Sequence, residues 1–158
     1  MMQLSFKSVV GCQRLYILFY LVSHLMLGDL FYQAKGRITS KRVLDLEGPK
    51  IESSYYVEGK MRAIEVIEIG TFTTIPTSDG AFYVEGKDIV TVRDSDEMAT
   101  VIAQGISKRQ ESTKVIFGSN FYRSSATGKL SFLNNIMGIH EASVDKDGNI
   151  IYKVWEWK

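Results

Sequence analysis

The residues with the most chemistry to offer lie close together, in Val115–Asn135, VIFGSNFYRSSATGKLSFLNN. Asn120, Tyr122 and Arg123 combine an amide, a phenol and a guanidinium within four positions. Such groups orient a ligand when they line an otherwise apolar cavity. The same composition also describes an ordinary strand in a filled barrel. On a strand the odd set Val115, Phe117, Ser119, Phe121 and Arg123 faces one way. The even set Ile116, Gly118, Asn120 and Tyr122 faces the other, and either set could look inward. His140 adds an imidazole able to act as a base near neutral pH, or simply to sit hydrogen-bonded in a strand. Its neighbour Glu141 cannot share a cavity with it, because strand neighbours point to opposite faces.

Other chemistries are argued against. The sequence has no phosphate-binding glycine loop and no nucleophile elbow. Cys12, His24 and His140 are its only soft ligands, too few for a structural zinc site, so no metal and no cofactor is expected. Asp145-x-Asp147-Gly148 has its glycine too early for a calcium loop of the EF-hand type and suits a hairpin turn. A single cysteine excludes an intramolecular disulfide. Net charge is +1 with no basic stripe, which argues against nucleic acid as a partner.

These side chains must be positioned by strands. From Leu30 onward β-rich runs alternate with turn chemistry at regular spacing. Turns are expected at Glu47–Lys50, Gly59-Lys60, Pro76–Gly80, Asp94–Asp96, Lys108–Thr113, Ser124–Lys129 and Asp145–Asn149. The second run sets Ile51, Ser53, Tyr55 and Val57 on one face, and the fifth does the same with Val101, Ala103 and Gly105. The seventh, Leu130 to Val144, breaks near Asn134-Asn135 with a bulge or helical turn. No amphipathic helix follows residue 28. The expected fold is all-β, an antiparallel up-and-down barrel of about eight strands, with a β-sandwich as the alternative. Gly36, Gly70, Gly86, Gly105, Gly118 and Gly138 sit inside strands, where barrel closure needs bends and close backbone approach. Glu52, Glu65, Glu68 and Glu85 are expected on the solvated outer face.

Residues 1–25 differ from the rest. Leu15 to Val22 is wholly apolar but shorter than the ~20 residues a spanning helix needs. The segment is expected to be an over-extended start ahead of Met26, a disordered extension, a signal-like or membrane-surface segment, or a helix packed on the barrel. Residues 26–158 form the single barrel domain. The expected compartment is the cytoplasm, or the exterior if residues 1–25 act as a signal. On the last strand Trp155 and Trp157 share one face, opposite Ile150, Tyr152 and Val154. Two outward tryptophans mark a contact surface, with a second copy of the chain as the expected partner and the N-terminal segment folding back as the alternative.

With FYRSSATGKLSFLNN and VWEWK in hand, and with GTFTTIPTSDG in the middle, residues 26–158 resemble small uncharacterised proteins of archaea and bacteria. The resemblance implies an allene oxide cyclase-like barrel, an eight-stranded relative of the lipocalin-type, calycin-like folds. That cyclase steers ring closure of an unstable fatty-acid epoxide. Its catalytic residues match no position here, so the activity does not transfer. Three functions are therefore expected in order. The first is a barrel, more binding protein than enzyme, that takes a small apolar ligand or assembles with itself. The second is an isomerase or cyclase using the interior, with Asn120, Tyr122, Arg123 or His140 orienting substrate. The third is a filled barrel acting as an interaction module through Trp155 and Trp157.

Overall fold

The computed structural model describes residues 27–158; the expectations for residues 1–25 lie outside them. The chain forms eight strands and one short 3-10 helix. In order these are β1 (Leu27–Asp45), β2 (Lys50–Met61), β3 (Ile64–Pro76), β4 (Phe82–Val92), β5 (Met98–Gln110), β6 (Thr113–Ser124), the helix η1 (Ser131–Asn135), β7 (Met137–Val144) and β8 (Asn149–Trp157). Each strand pairs with the next, and β8 returns to β1, so the sheet closes as an eight-stranded antiparallel barrel rather than a sandwich.

Alternation decides what faces inward. In β4, Val84, Gly86, Asp88, Val90 and Val92 are buried while Glu85, Lys87 and Ile89 are exposed. In β8, Ile150, Tyr152 and Val154 are buried, which leaves both tryptophans on the outer wall, as the sequence implies. The expected turn at Gly59-Lys60 instead lies two residues later, at Arg62, whose φ is 56°. Gly59 stays in β2 because it faces β1 so closely that a Cβ would strike the backbone of Gln33 and Ala34. The Lys108–Thr113 loop is likewise tighter than expected: β5 continues to Gln110 and the chain reverses at Glu111 and Ser112.

The two ends of the barrel differ. At one end the connection from β6 to β7 carries η1, whose Leu133 is fully buried together with the adjoining Leu130. These two join Phe31, Met61, Val66, Val92 and Tyr122 in the core. Phe31 meets Tyr122 and Phe132 edge-on at 6.0 and 6.3 Å. The plug is tied down by Glu97, whose carboxylate accepts from the Lys129 and Leu130 amides at 3.0 and 2.7 Å. Asn134 fastens it to the end of β6, accepting from Ser124 N at 2.8 Å and donating to the Ser124 and Ser125 carbonyls. The break expected at Asn134-Asn135 is thus a helical turn that stoppers the barrel. The other end, ringed by the β1–β2, β3–β4, β5–β6 and β7–β8 turns, stays open.

Barrel closure leans on close approach at Gly118. It pairs with Gly105 on one side and His140 on the other. A Cβ there would lie 2.7 Å from both the Gly105 Cα and the His140 ring, besides striking the Gln104 carbonyl. Gly118→Ala is expected to cost at least about 2 kcal/mol, since backbone cannot move aside as a side chain can. A urea midpoint unchanged from the parent protein would contradict this.

Candidate functional site in the barrel interior

The even face of β6 is the inner one. Asn120 and Tyr122 are buried inside the barrel with His140 from β7, whereas Arg123 is exposed on the outer wall. Three of the four predicted interior residues therefore come together, and Arg123 is corrected to the outside by strand alternation. Asn120 is the hub. Its Nδ2 donates to the Tyr122 hydroxyl at 2.9 Å and to the Tyr152 hydroxyl at 2.5 Å. Its Oδ1 lies 2.7 Å from His140 Nδ1. An amide oxygen only accepts, so His140 carries its proton on Nδ1 and offers the lone pair of Nε2. That nitrogen has no partner among the described residues. Burial pushes the imidazole pKa down from 6.5 to about 4, so it is neutral at physiological pH.

A second polar group lies opposite and was not anticipated. Glu68, expected on the outer face, is only 2 % exposed and points inward from β3. Tyr55 donates its hydroxyl proton to Glu68 at 2.6 Å. Asp88, 5 % exposed, stands on the neighbouring strand, and its Oδ1 has no hydrogen-bond partner among the described residues. Tyr55 has a single proton to give, and Glu68 takes it. The Tyr32 hydroxyl also faces Glu68 but makes no well-formed hydrogen bond. Burial, and then the nearby Glu68, raise the Asp88 pKa from 3.8 to about 8, and burial raises that of Glu68 as well. Two buried carboxyls thus stand together with no buried cation among the described residues.

Missing side chains make room for them. A Cβ at Gly70 would collide with the Asp88 carboxyl and lie 2.8 Å from the Tyr55 ring. A step of two along each strand carries inward-facing Gly70 to Glu68 and inward-facing Gly86 to Asp88. That step was the sequence signal available for both acids.

Asp88, His140, Tyr55 and Tyr152 line a cavity of ≈ 60 Å³, otherwise walled by Phe72, Val84, Ala103, Ile116, Ala142, Val144 and Ile150. Above it the open end of the barrel forms a recess of ≈ 290 Å³. The two share Phe72, Ile116 and Val144 and so are stacked along the barrel axis. Lys41, Arg109, Lys114 and Lys146 stand around the recess. The acid there, Asp145, is engaged by the Asp147 and Asn149 amides and the Asn149 side chain. The interior is thus a blind cup with a basic mouth, apolar walls and a polar floor. No group of three or more His, Cys, Asp or Glu among the described residues is arranged to hold a metal ion.

The tryptophans are less exposed than expected. Trp155 is half-buried in a row between Leu30 of β1 and Ile139 of β7, and Trp157 is 42 % exposed. Further apolar side chains are exposed across β3 to β6, where Ile69 faces Ile89, Ile102 faces Phe121 and Ile106 faces Phe117. No helix among the described residues is long and apolar enough to cross a membrane.

No family profile matches the chain, and no curated protein does. Solved structures do. A conserved protein of unknown function from Rhodopseudomonas palustris superposes with a TM-score of 0.68 at 12 % identity, covering 82 % of this chain and 97 % of its own. A protein of unknown function from Clostridium acetobutylicum gives a TM-score of 0.70 at 10 % identity, with the same coverage of both chains. At such identity the likeness is one of fold: this chain is an eight-stranded β-barrel similar to barrels of unknown function.

Proposed function

We propose that the protein binds a small, largely apolar ligand inside the barrel, entering through the mouth ringed by the β1–β2, β3–β4, β5–β6 and β7–β8 turns. The observation that carries this reading is the floor of the cup. An unpaired carboxyl oxygen on Asp88 and a free imidazole nitrogen on His140 border one cavity. Leaving a buried polar atom such as Asp88 Oδ1 without a partner costs about 1–3 kcal/mol. A protein that merely filled its barrel could avoid that cost with apolar side chains. Cavity and recess, at ≈ 60 and ≈ 290 Å³, together fall just inside the lower end of the range usual for ligand pockets, roughly 300–1,000 Å³.

The test is a cavity-filling substitution. Ala103 lines the cavity from β5, and Ala103→Phe places a ring where the ligand would lie. The apolar anion anilinonaphthalene sulfonate is expected to fluoresce on binding the parent protein and to lose at least tenfold in affinity for the variant. Equal binding to both would move the dye, and the reading, to the outer wall.

A second reading has its own observation, the apolar area across β3 to β6. Phe117, Phe121 and Ile102 are each about half exposed, at 49, 52 and 55 %. A second copy of the chain could bury this wall through a two-fold contact. Sedimentation of the parent protein and of Phe121→Glu checks it, since a monomer in both would remove the reading.

A further inference from the structure

The strongest anomaly in the molecule is one of charge. Glu68 and Asp88 are buried side by side with no cation inside the barrel among the described residues, and Asp88 keeps an oxygen unpaired. All four basic groups of the cup lie at its mouth, and none of them forms an ion pair among the described residues. The cup therefore runs from positive at the rim to acidic at the floor.

We infer that the ligand is dipolar: a primary ammonium seated at the floor between Asp88 and His140, an apolar stem, and an anionic end at the basic mouth. This rests on the interior-binding reading and gives it a substrate class, the amino acids whose amine and acid are separated by an apolar chain. The floor suits an ammonium because it is rich in acceptors. Asp88 Oδ1 supplies one and His140 Nε2 another. An ammonium has three donors and no acceptor. The aromatic rings of Tyr55, Phe72 and Tyr152 line the same cavity and present surfaces that favour a cation. A neutral alkyl end would leave Asp88 unpaired, and a bare carboxylate would add a third acidic group to a floor that holds no cation among the described residues.

The spacing between the two anchors also fits. Phe82 stands in the recess and Asp88 at the floor of the same strand. At ~3.3 Å per residue and a tilt of ~40°, the stretch between them spans on the order of 15 Å along the axis. That is the reach of a medium-chain compound.

Binding has a proton signature. At rest the carboxyl pair is relieved of its repulsion by a proton on Asp88, whose pKa lies near 8. A bound ammonium takes over that role, so Asp88 ionises and its proton leaves to solvent. The amine arrives and stays protonated, and no bond other than Asp88 O–H breaks.

The experiment compares ω-aminodecanoate, decanoate and decylamine as competitors of anilinonaphthalene sulfonate at pH 7 and low salt, with calorimetry in buffers of different ionisation enthalpy. The expected result is that ω-aminodecanoate competes at least tenfold more strongly than either single-ended probe, with close to one proton released per ligand. Asp88→Asn, which keeps the size of the side chain but not its charge, is expected to abolish both the advantage over decanoate and the proton release. Lys114→Glu combined with Lys146→Glu should abolish the advantage over decylamine. Decanoate matching ω-aminodecanoate, decylamine matching it, or no released proton would each overturn the assignment. So would failure of all three to compete. Binding of the dye that remains sensitive to Ala103→Phe would still uphold the interior site, so the two readings fail separately.

Discussion

At pH 9 the Asp88→Asn protein is expected to unfold at a higher temperature than its parent, and at pH 4 the two should melt together. The sign follows from where the proton resides. The Asp88 carboxyl has an ordinary value of 3.8 and is raised to about 8 in the folded state. Between those values the folded protein holds a proton that the unfolded chain has released. Stability therefore falls as pH rises across that window, by up to ~1.4 kcal/mol per pH unit. His140 works in the opposite sense. Its folded value of about 4 lies below the ordinary 6.5, so its contribution is complete above pH 6.5 and is lost as pH falls toward 4. The two slopes oppose each other between about pH 4 and 6.5, giving a flat region. From about 6.5 to 8 Asp88 acts uncompensated, and the upward shift of Glu68 works in the same direction. An asparagine removes the charge and keeps the shape. Taken across the window from 3.8 to about 8, the Asp88 slope amounts to a gain on the order of 5 kcal/mol at pH 9, or roughly 10–20 °C for a chain of this size. Melting curves at pH 4, 6 and 9 check it; a parent protein that gains stability from pH 6.5 to 8 would contradict the argument.

The second large effect concerns Asn120. One amide holds the hydroxyls of Tyr122 and Tyr152 and the Nδ1 proton of His140. Asn120→Leu keeps the branched shape but leaves all three groups without their buried partner. Each orphaned group costs about 1–3 kcal/mol, and the network makes the losses larger than independent ones. A destabilisation of at least about 3 kcal/mol is expected, read from urea unfolding. His140 should also lose its fixed tautomer, so the imidazole nitrogen resonances, sharp and separate in the parent protein, should average in the variant. A stable variant with an unchanged imidazole spectrum would show that Asn120 is not the hub of the network.

The barrel was legible in the sequence because closure leaves a repeated mark: alternation along each run, turn residues between runs, and a glycine inside most strands. The interior cluster was legible only in part: alternation separates Asn120 and Tyr122 from Arg123, but both faces of β6 mix apolar and polar residues, and composition did not say which looks inward. The acidic half of the site was not legible. In β3 the sequence IEVIEIG places Glu65, Ile67 and Ile69 on one face and Ile64, Val66, Glu68 and Gly70 on the other. Each face carries two β-branched residues and one glutamate, so hydrophobicity does not choose between them, and the structure leaves Ile69 51 % exposed while it buries Glu68. Asp88 was hidden in the same way, between exposed Lys87 and Ile89. In both strands a charged residue took an inward position that an apolar residue would occupy in a core built for stability alone. The turn at Arg62 escaped for a different reason. Gly59 resembles a turn residue but serves as a place where β1 and β2 touch.

The ladder between β1 and β8 joins the first described strand to the last, through residue pairs such as Gly36 with Ile150 and Ala34 with Tyr152. Every other ladder joins strands that follow one another along the chain and can form as hairpins. This one must wait until the rest of the sheet has curled round, and it closes the longest loop in the molecule. Until then β1 and β8 are both raw edges with unpaired amides and carbonyls, open to a neighbouring chain with the same two edges. The seam is thus the slow step in making the protein and the place where two unfinished copies could exchange strands. Once closed, it pairs in unbroken register from Tyr32 with Val154 to Arg37 with Asn149, and its register shifts only towards Leu27.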